Sequence, residues 1–274
     1  MNAIEQAFQK TKALGNGALI GYVTAGDPTP ELTPKIADAL IHGGVDILEL
    51  GLPFSDPIAD GPTIQAASVR ALAAGTTPQR VLQISKELRK SHSTPIVIMT
   101  YYNPVFRMGL ERFCSLAKES AVDGVIVPDL PVEESGDFRR AAADFGLDTI
   151  FLATPSTSSK RLKIIVQCSS GFLYLVSHFG VTGAKTAVDE STIQLIKRVL
   201  PFTLGKINLA VGFGVSKPQH VKRIIEAGAD GVIVGSAFID LIQKNKNSQA
   251  AMLGELEAAA SELKIATKTL EKRG

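Results

Sequence analysis

The segment GGVDILELGLPFSDPIADG, residues 43–61, indicates how this chain is built. It opens with a glycine pair suited to ending a helix, and then enters an apolar run suited to a buried strand. A long stretch rich in Pro, Ser and Asp follows, which is typical of a loop. Comparable helix endings, SAVDG and EAGADG, precede two other apolar runs. The repeat predicts strands that alternate with helices.

Eight short runs rich in Val, Ile and Leu have this character. They are residues 19–24, 46–50, 96–101, 124–128, 149–153, 172–177, 208–212 and 231–234. Near-continuous apolar strands are typical of a parallel sheet that is covered on both faces. Eight strand–helix units in about 250 residues, with no linker between them, predict one (β/α)8 TIM barrel. We expect a single domain over residues 1–274, with an extra N-terminal helix.

The alternative fold is an open, doubly wound sheet. It is disfavoured because no G-x-G-x-x-G motif opens a helix after the first strand, and because eight strands suit a barrel. Prolines predict where two of the helices begin. One helix is expected over residues 30–41 with Thr29 as its N-cap, and another over residues 218–227 with Ser216 as its N-cap.

Composition excludes several classes of function. The formal net charge is +2, and no run of five Lys or Arg residues occurs. The sequence therefore gives no electrostatic support for binding to nucleic acids or to membrane surfaces. No apolar run approaches the ~18 residues of a membrane-spanning helix, and the N-terminus does not resemble a signal peptide. A cytoplasmic protein is expected. The two cysteines, Cys114 and Cys168, are expected to be packed free thiols.

Small residues follow the last predicted strands, at the end of the barrel where active sites of this fold lie. GFG at residues 212–214 and GS at residues 235–236 each precede a helix, and Gly183 follows the sixth strand. Backbone N–H groups and helix N-termini in such loops bind anions. A phosphorylated ligand is therefore predicted, although each glycine alone could simply permit a tight turn.

Two acids are expected at the same end of the barrel. Glu49 lies one residue before the end of the second strand, and Asp60 follows eleven residues later in the loop. Such a pair can act as general acid and base. Glu49 could instead be a paired core acid, and Asp60 could be a helix N-cap ahead of Gly61. Asp46, at the other end of the strand, is expected to be structural.

Other chemistries have little support in the sequence. No Lys lies at a strand end as a Schiff-base aldolase would need, and no His and Asp residues have metal-ligand spacing. Cofactor-free acid/base work on a phosphorylated substrate is therefore expected. His42, His92 and His220 are expected at the surface, whereas His178 could face the site.

LELGLPFSDPIADG, together with TAGDP, TYYNP, PDLPVEES, GVTG, GFGVS and GSA in this order, closely resembles the tryptophan synthase alpha subunit family. The resemblance extends from about Leu19 to Ala237. It implies a retro-aldol cleavage of indole-3-glycerol phosphate to indole and glyceraldehyde 3-phosphate. It also implies that Glu49 shuttles a proton between the glycerol hydroxyl and indole C3, and that Asp60 holds the indole N–H.

The resemblance assigns further positions. Tyr174 is implied to line the site near Glu49, and Thr182 is implied to close over the substrate toward Asp60. The implied phosphate ligands are Gly183, Phe213, Gly214, Gly235 and Ser236. The implied apolar residues of the indole pocket are Tyr22, Ile126, Leu152 and Phe213.

A partner is implied as well, namely a beta subunit in an αββα complex that receives indole through an internal tunnel. Pyridoxal phosphate is expected only in that subunit, and no cofactor or metal in this chain. The implied contact residues are Pro53, Asp56, Asn103, Phe106, Asp129 and Pro131. Two alternatives stay open: a stand-alone indole-3-glycerol phosphate lyase, and a catalytically silent barrel that only binds a beta subunit. The presence of both Glu49 and Asp60 argues against the silent barrel.

Overall fold

A computed structural model describes residues 2–176, 190–212 and 214–268 of the chain. These residues form nine strands, twelve α-helices and one 3₁₀ helix. The strands are β1 (Ala18–Thr24), β2 (Ile47–Gly51), β3 (Ile96–Met99), β4 (Gly124–Ile126), β5 (Asp148–Ile150), β6 (Leu152–Ala153), β7 (Phe172–Val176), β8 (Asn208–Gly212) and β9 (Gly231–Val234).

The helices cover the outside of the sheet. They are α1 (Ala3–Ala13), α2 (Thr33–His42), α3 (Pro62–Ala73), α4 (Pro78–Leu88), α5 (Tyr102–Met108), α6 (Leu110–Glu119), α7 (Gly136–Asp144), α8 (Ser159–Cys168), α9 (Glu190–Thr203), α10 (Pro218–Glu226), α11 (Ser236–Lys244) and α12 (Gln249–Ile265), with the 3₁₀ helix at Val132–Glu134.

The sheet is parallel throughout and closes on itself. Its strand order is β5-β4-β3-β2-β1-β9-β8-β7-β6. The two ends of this order, β5 and β6, are consecutive in the chain and separated only by Phe151. The Phe151 carbonyl accepts a hydrogen bond from the Tyr174 N–H at 3.0 Å, so the interrupted strand joins both ends. The predicted (β/α)8 barrel is therefore confirmed, and the open sheet is excluded.

Two apolar clusters hold the barrel together. The larger one lies between the strands and the surrounding helices. The smaller one fills the barrel interior, with Ile20, Ile47, Val97, Ile126 and Ile233 among its members. Because side chains alternate along a strand, most of the strands supply residues to both clusters. This explains why the strands are apolar throughout rather than alternating.

The predicted N-terminal helix, α1, closes the amino-terminal end of the barrel. Ile4 and Phe8 belong to the interior cluster, and the Phe8 ring lies 5.9 Å from that of Phe172. The Asn2 side chain accepts the Glu5 N–H at 2.8 Å and so caps the helix. This end carries stability contacts, and the carboxyl end is left for a site.

Asp46 lies at this same amino-terminal end, as predicted. One of its carboxylate oxygens accepts the Leu19 N–H at 2.7 Å and the Lys264 ammonium at 2.6 Å. The contact ties α12 to the start of β1 and β2. The structural role expected for Asp46 is confirmed.

The predicted start of the first helix and both predicted N-caps need correction. The first helix begins at Thr33 with Leu32 at the N-cap, and Thr29 does not cap it. The hydroxyl of Thr33 instead accepts the Gly26 N–H at 2.8 Å, which sets the beginning of α2. The second of these helices, α10, begins at Pro218 as expected, but its N-cap residue is Lys217 rather than Ser216.

A partly buried ion pair joins α3 to the loop that follows β1. Arg70 of α3 donates two hydrogen bonds to Asp27, each at 2.7 Å, and the Asp27 side chain has no exposed surface. Bidentate pairing of this kind adds geometric specificity. It holds α3, which begins two residues after Asp60, against the loop that follows β1.

Two further sequence expectations can be checked in the fold. Cys114 is buried and Cys168 is half-buried, and both are free thiols. None of the helices in the described ranges is long and apolar enough to cross a membrane. The assignment of all 274 residues to one domain stays a prediction.

Replacing Phe8 with Ala tests the contribution of the α1 contact. The ring is 3% exposed, so the change leaves a cavity, and we expect the free energy of unfolding to fall by about 3–5 kcal/mol. Urea unfolding followed by circular dichroism measures it. Leu14→Ala is the control, because Leu14 is 67% exposed and should change stability by less than about 0.5 kcal/mol. Equal effects would contradict the packing role of α1.

Candidate active site

A pocket opens at the carboxyl end of the barrel. Its walls come from β1, β2, β3, β7 and β9 and from the loops after β2, β8 and β9. The described residues that line it are Tyr22, Glu49, Asp60, Gly61, Ile64, Met99, Tyr174, Gly214, Val215, Ile233, Gly235 and Ser236. The structure thus brings together both predicted acids, both tyrosines and three predicted phosphate ligands.

Glu49 projects into the barrel. Ile47, two residues earlier on β2, belongs to the interior cluster, and side chains two apart share a face. Glu49 is 1% exposed, and neither carboxyl oxygen has a hydrogen-bond partner among the described residues. Burial, and then the charge of Asp60, raise the pKa of Glu49 to about 8. Within the described ranges it is therefore not the paired core acid that the sequence left open.

Asp60 enters the pocket from the loop. The α3 N-cap is Gly61, without a side-chain cap, so the alternative in which Asp60 caps this helix is wrong. Its carboxylate instead accepts a hydrogen bond from the Tyr101 hydroxyl at 3.1 Å. Burial raises the pKa of Asp60 to about 6, and the Tyr101 hydrogen bond opposes that rise. The other carboxyl oxygen is buried without a partner in the described part of the chain.

The two acids therefore differ in protonation at neutral pH. With a pKa near 8, Glu49 is mostly a neutral acid, whereas Asp60, with a pKa near 6, is mostly a carboxylate. Neighbouring carboxyl groups whose pKa values are separated in this way can act as acid and charge stabiliser in one site. Both carboxyl oxygens of Glu49 and one of Asp60 have no hydrogen-bond partner among the described residues, so both groups can contact a ligand.

Two glycines make room for the tyrosines of the pocket. A Cβ atom at Gly51 would lie 2.2 Å from the Tyr22 hydroxyl, and one at Gly212 would lie 2.7 Å from the Tyr174 hydroxyl. Both distances are far below van der Waals contact. The glycines thus allow the rings to lie against the ends of β2 and β8. Burial raises the pKa of both tyrosines well above the usual value.

The described part of the predicted phosphate cradle lies on one wall. Gly214 has φ +78°, a conformation that favours glycine, and Gly235 is the N-cap of α11, with Ser236 as the first helical residue. The first N–H groups of a helix lack intrahelical acceptors and attract anions. Four other candidates, His178, Thr182, Gly183 and Phe213, lie outside the described residues.

Two predicted indole-pocket residues pack with the interior of the barrel. Ile126 belongs to the interior cluster and Leu152 packs against it, and neither is among the described residues that line the pocket. The apolar lining includes Met99, Ile64, Val215 and Ile233, which the sequence did not single out. Met99 and Ile233 could have been found from the sequence, because both lie near the ends of predicted strands. Ile64 had no such signal, since it lies on α3.

The predicted partner surface is exposed, with one exception. Asp56, Asn103, Phe106, Asp129 and Pro131 are all exposed, whereas Pro53 is buried in the chain. Asp129 also accepts the Tyr102 N–H at 2.8 Å, so it caps α5 from another element. The loop after β2 adds Ile58 to this surface, an apolar residue that is 84% exposed and that was not predicted as a contact residue.

The expectation that three histidines lie at the surface is wrong for His220. It is 3% exposed on α10, and its ring accepts the Ser216 N–H at 3.4 Å. The side chains of His42 and His92 are 61% and 13% exposed and contact Asp38, at 3.5 Å and 2.7 Å. In residues 2–176, 190–212 and 214–268, no three His, Cys, Asp or Glu side chains are grouped to hold a metal ion.

A closed parallel barrel with an acid pair, two glycines and a helix N-terminus at its carboxyl rim is typical of one class, the TIM-barrel enzymes that act on phosphorylated substrates. The family profile described as Tryptophan synthase alpha chain matches residues 8–268. This chain belongs to that family.

Individual relatives agree with the assignment. A tryptophan synthase alpha chain from Methanoregula boonei is 48% identical over 266 residues, covering 97% of this chain and 98% of that protein. The solved tryptophan synthase subunit alpha from Legionella pneumophila superposes with a TM-score of 0.89 at 36% identity, covering 97% and 98%. A chain from the tryptophan synthase a2b2 complex of Pyrococcus furiosus gives 0.85 at 43% identity, covering 91% and 98%.

Burial of Glu49 predicts a pH-dependent loss of stability that Glu49→Gln removes. Below pH 4.5 the side chain is neutral in both states. As pH rises toward 8, the unfolded state ionises while the folded state does not, so the folded state loses stability. Between pH 4.5 and 8 the variant should gain roughly 3–5 kcal/mol relative to the unmodified chain.

Urea unfolding at several pH values measures this change in slope. Glu257→Gln is the control, because that exposed side chain is in solvent in both states. Parallel stability curves for Glu49→Gln and the unmodified chain would show that Glu49 is not held neutral by the fold.

Proposed function

We propose that this chain cleaves indole-3-glycerol phosphate to indole and glyceraldehyde 3-phosphate, the reaction implied by its family. The observation that carries the proposal is the juxtaposition in one pocket of buried Glu49 and half-buried Asp60, two acids with different pKa values. The reaction breaks the bond between indole C3 and the first glycerol carbon. Indole C3 gains a proton, and the hydroxyl on that carbon loses one as it becomes the aldehyde.

Glu49 has the properties needed to move this proton. Because it starts mostly as a neutral acid, it can protonate indole C3, and the carboxylate that results can accept the hydroxyl proton. Glu49 is thereby restored at the end of the cycle, so no cofactor is required for proton balance. Its two unpartnered oxygens leave room for both transfers.

Asp60 has the complementary role. Protonation of C3 puts positive charge on the indole ring, most of it at the ring nitrogen. A carboxylate that accepts the N–H hydrogen bond stabilises this charge, and a buried site strengthens the interaction. The free oxygen of Asp60 provides the acceptor, while the other oxygen is held by Tyr101.

The remaining walls suit the other parts of this substrate. Gly214, Gly235 and Ser236 supply backbone donors and a helix N-terminus for the phosphate. Tyr22 and Met99, with other apolar residues, provide contacts for the indole ring. The roles of Tyr174, Gly183, Thr182 and Phe213 in binding, and of Ile126 and Leu152 in the indole pocket, stay predictions.

The proposal includes a partner. The exposed residues Asp56, Asn103 and Phe106 with Asp129 and Pro131 form a candidate surface for a beta subunit, and a relative comes from an a2b2 complex. Pyridoxal phosphate would then be bound by the beta subunit. The αββα assembly and a cytoplasmic location stay predictions for this chain.

Glu49→Gln should reduce indole release from indole-3-glycerol phosphate by roughly 10³-fold or more, because the amide cannot take part in proton transfer. Indole formation is measured colorimetrically. Calorimetry with an indolepropyl phosphate that lacks the hydroxyl groups is the control, and its affinity should change less than about threefold because the phosphate wall is intact. Turnover close to that of the unmodified chain would exclude Glu49 as the proton shuttle.

Asp56→Ala should weaken stimulation by a beta subunit and leave basal cleavage within about twofold, because the side chain is exposed and outside the pocket. Indole release with increasing beta subunit gives both quantities. Asp144→Ala is the matched control, since this exposed acid ends α7 at the opposite end of the barrel. A large loss of basal activity in Asp56→Ala would place Asp56 in the site instead.

A further inference from the structure

Tyr101 connects two parts of the loop that follows β2. Its hydroxyl accepts the Ala59 N–H at 2.9 Å and donates to the Asp60 carboxylate at 3.1 Å. Both partners are adjacent in sequence, and Tyr101 lies 41 residues from Asp60 at the end of β3. One hydroxyl therefore fixes both the backbone and the side chain at the point where the loop enters the pocket.

The ring that carries this hydroxyl is itself held in place. Tyr101 is 4% exposed, and its ring stacks on Phe54 with the centroids 5.2 Å apart and the planes at 26°. Tyr101 is also the N-cap residue of α5, so its backbone is set by the junction of β3 and that helix. Phe54 belongs to the same loop as Asp60. Tyr101 therefore contacts this loop near its beginning, at Phe54, and near its end, at Asp60.

Without such contacts the loop would have few reasons to keep Asp60 in the pocket. Asp60 is not a helix cap, and its second oxygen has no partner in the described part of the chain. Besides Tyr101, the described titratable side chains that interact electrostatically with Asp60 are Glu49 on β2, Tyr22 on β1 and Tyr174 on β7. None of these brings a positive charge, so the Tyr101 hydroxyl is the contact that favours the carboxylate form.

We infer that Tyr101 is a positioning residue for Asp60, holding the carboxylate ionised and turned toward the ligand in the pocket. The inference rests on the proposed role of Asp60 in indole cleavage. It assigns to Tyr101 a contribution to the reaction, although the side chain is not among the residues that line the pocket. The effect would operate through one hydrogen bond, with the ring providing the support.

Tyr101→Phe tests this inference, because it removes the hydroxyl and keeps the ring that stacks on Phe54. In kcat/KM for indole release, the acid limb reports the group that must be ionised in the free enzyme. Loss of a hydrogen bond to the charged form raises the pKa of Asp60, so this limb should move upward by about one pH unit. At pH 6 the ionised fraction of Asp60 should fall from about one half to about one eleventh, so the variant should fall roughly fivefold below the unmodified chain. The basic limb should stay in place.

Tyr102→Phe is the matched control. Tyr102 is the neighbouring tyrosine, its ring lies 5.9 Å from Phe106, and it is half-buried outside the pocket. Its profile should coincide with that of the unmodified chain. Thermal unfolding of both variants should agree within a few degrees, which separates a catalytic shift from loss of fold.

A second measurement does not depend on turnover. Carbon-13 NMR of the side-chain carboxyl groups, with Asp60 assigned by Asp60→Asn, should show Asp60 titrating about one unit higher in Tyr101→Phe. Identical pH profiles and identical Asp60 titrations in the Tyr101 and Tyr102 variants would overturn the inference. Failure of the proposed function would look different, because the unmodified chain itself would then release no indole at any pH.

Discussion

The parallel sheet closes into a barrel, and this closure determines where the side chains of the pocket lie. Hydrogen bonding on both sides of the Phe151 break leaves the barrel with a defined inside and outside, and the strand period of two then fixes where each side chain points. Ile47 is directed inward, and Glu49 follows it toward the carboxyl rim. The same closure brings the loops after β1, β2, β8 and β9 to one rim, although they are far apart in the sequence.

Glu49 is a buried carboxyl group that makes no hydrogen bond to the described residues and so does not stabilise the fold. Glu49 is surrounded by apolar side chains and tyrosines, and burial raises its pKa to about 8. A group with this pKa can both give and take a proton near neutral pH, and the same burial makes its ionised form costly to the folded state. The α1 helix, the Asp46–Lys264 contact and the Asp27–Arg70 pair lie elsewhere in the barrel and stabilise it without entering the site.

The loop after β2 serves two surfaces at once. Asp56 and Ile58 face outward, whereas Asp60, two residues further on, reaches into the pocket. Phe54 and the Ala59 N–H both contact Tyr101, so the outward and inward parts of the loop are held by one side chain. A rigid attachment of this kind gives a physical route by which a change at the outer surface could reach Asp60, provided that the loop has two arrangements.

Local apolar runs and the period of a strand are enough to predict the barrel, the extra N-terminal helix and the position of Glu49. The family resemblance also indicated Asp60, Tyr174, Gly214, Gly235 and Ser236 as neighbours. The contacts of Asp60 depend on the folded chain, because the Tyr101 hydroxyl approaches it from 41 residues away. The burial of Pro53 and His220 likewise depends on how the folded chain packs around them, and the start of α2 at Thr33 follows its hydrogen bond to the Gly26 N–H in the preceding loop.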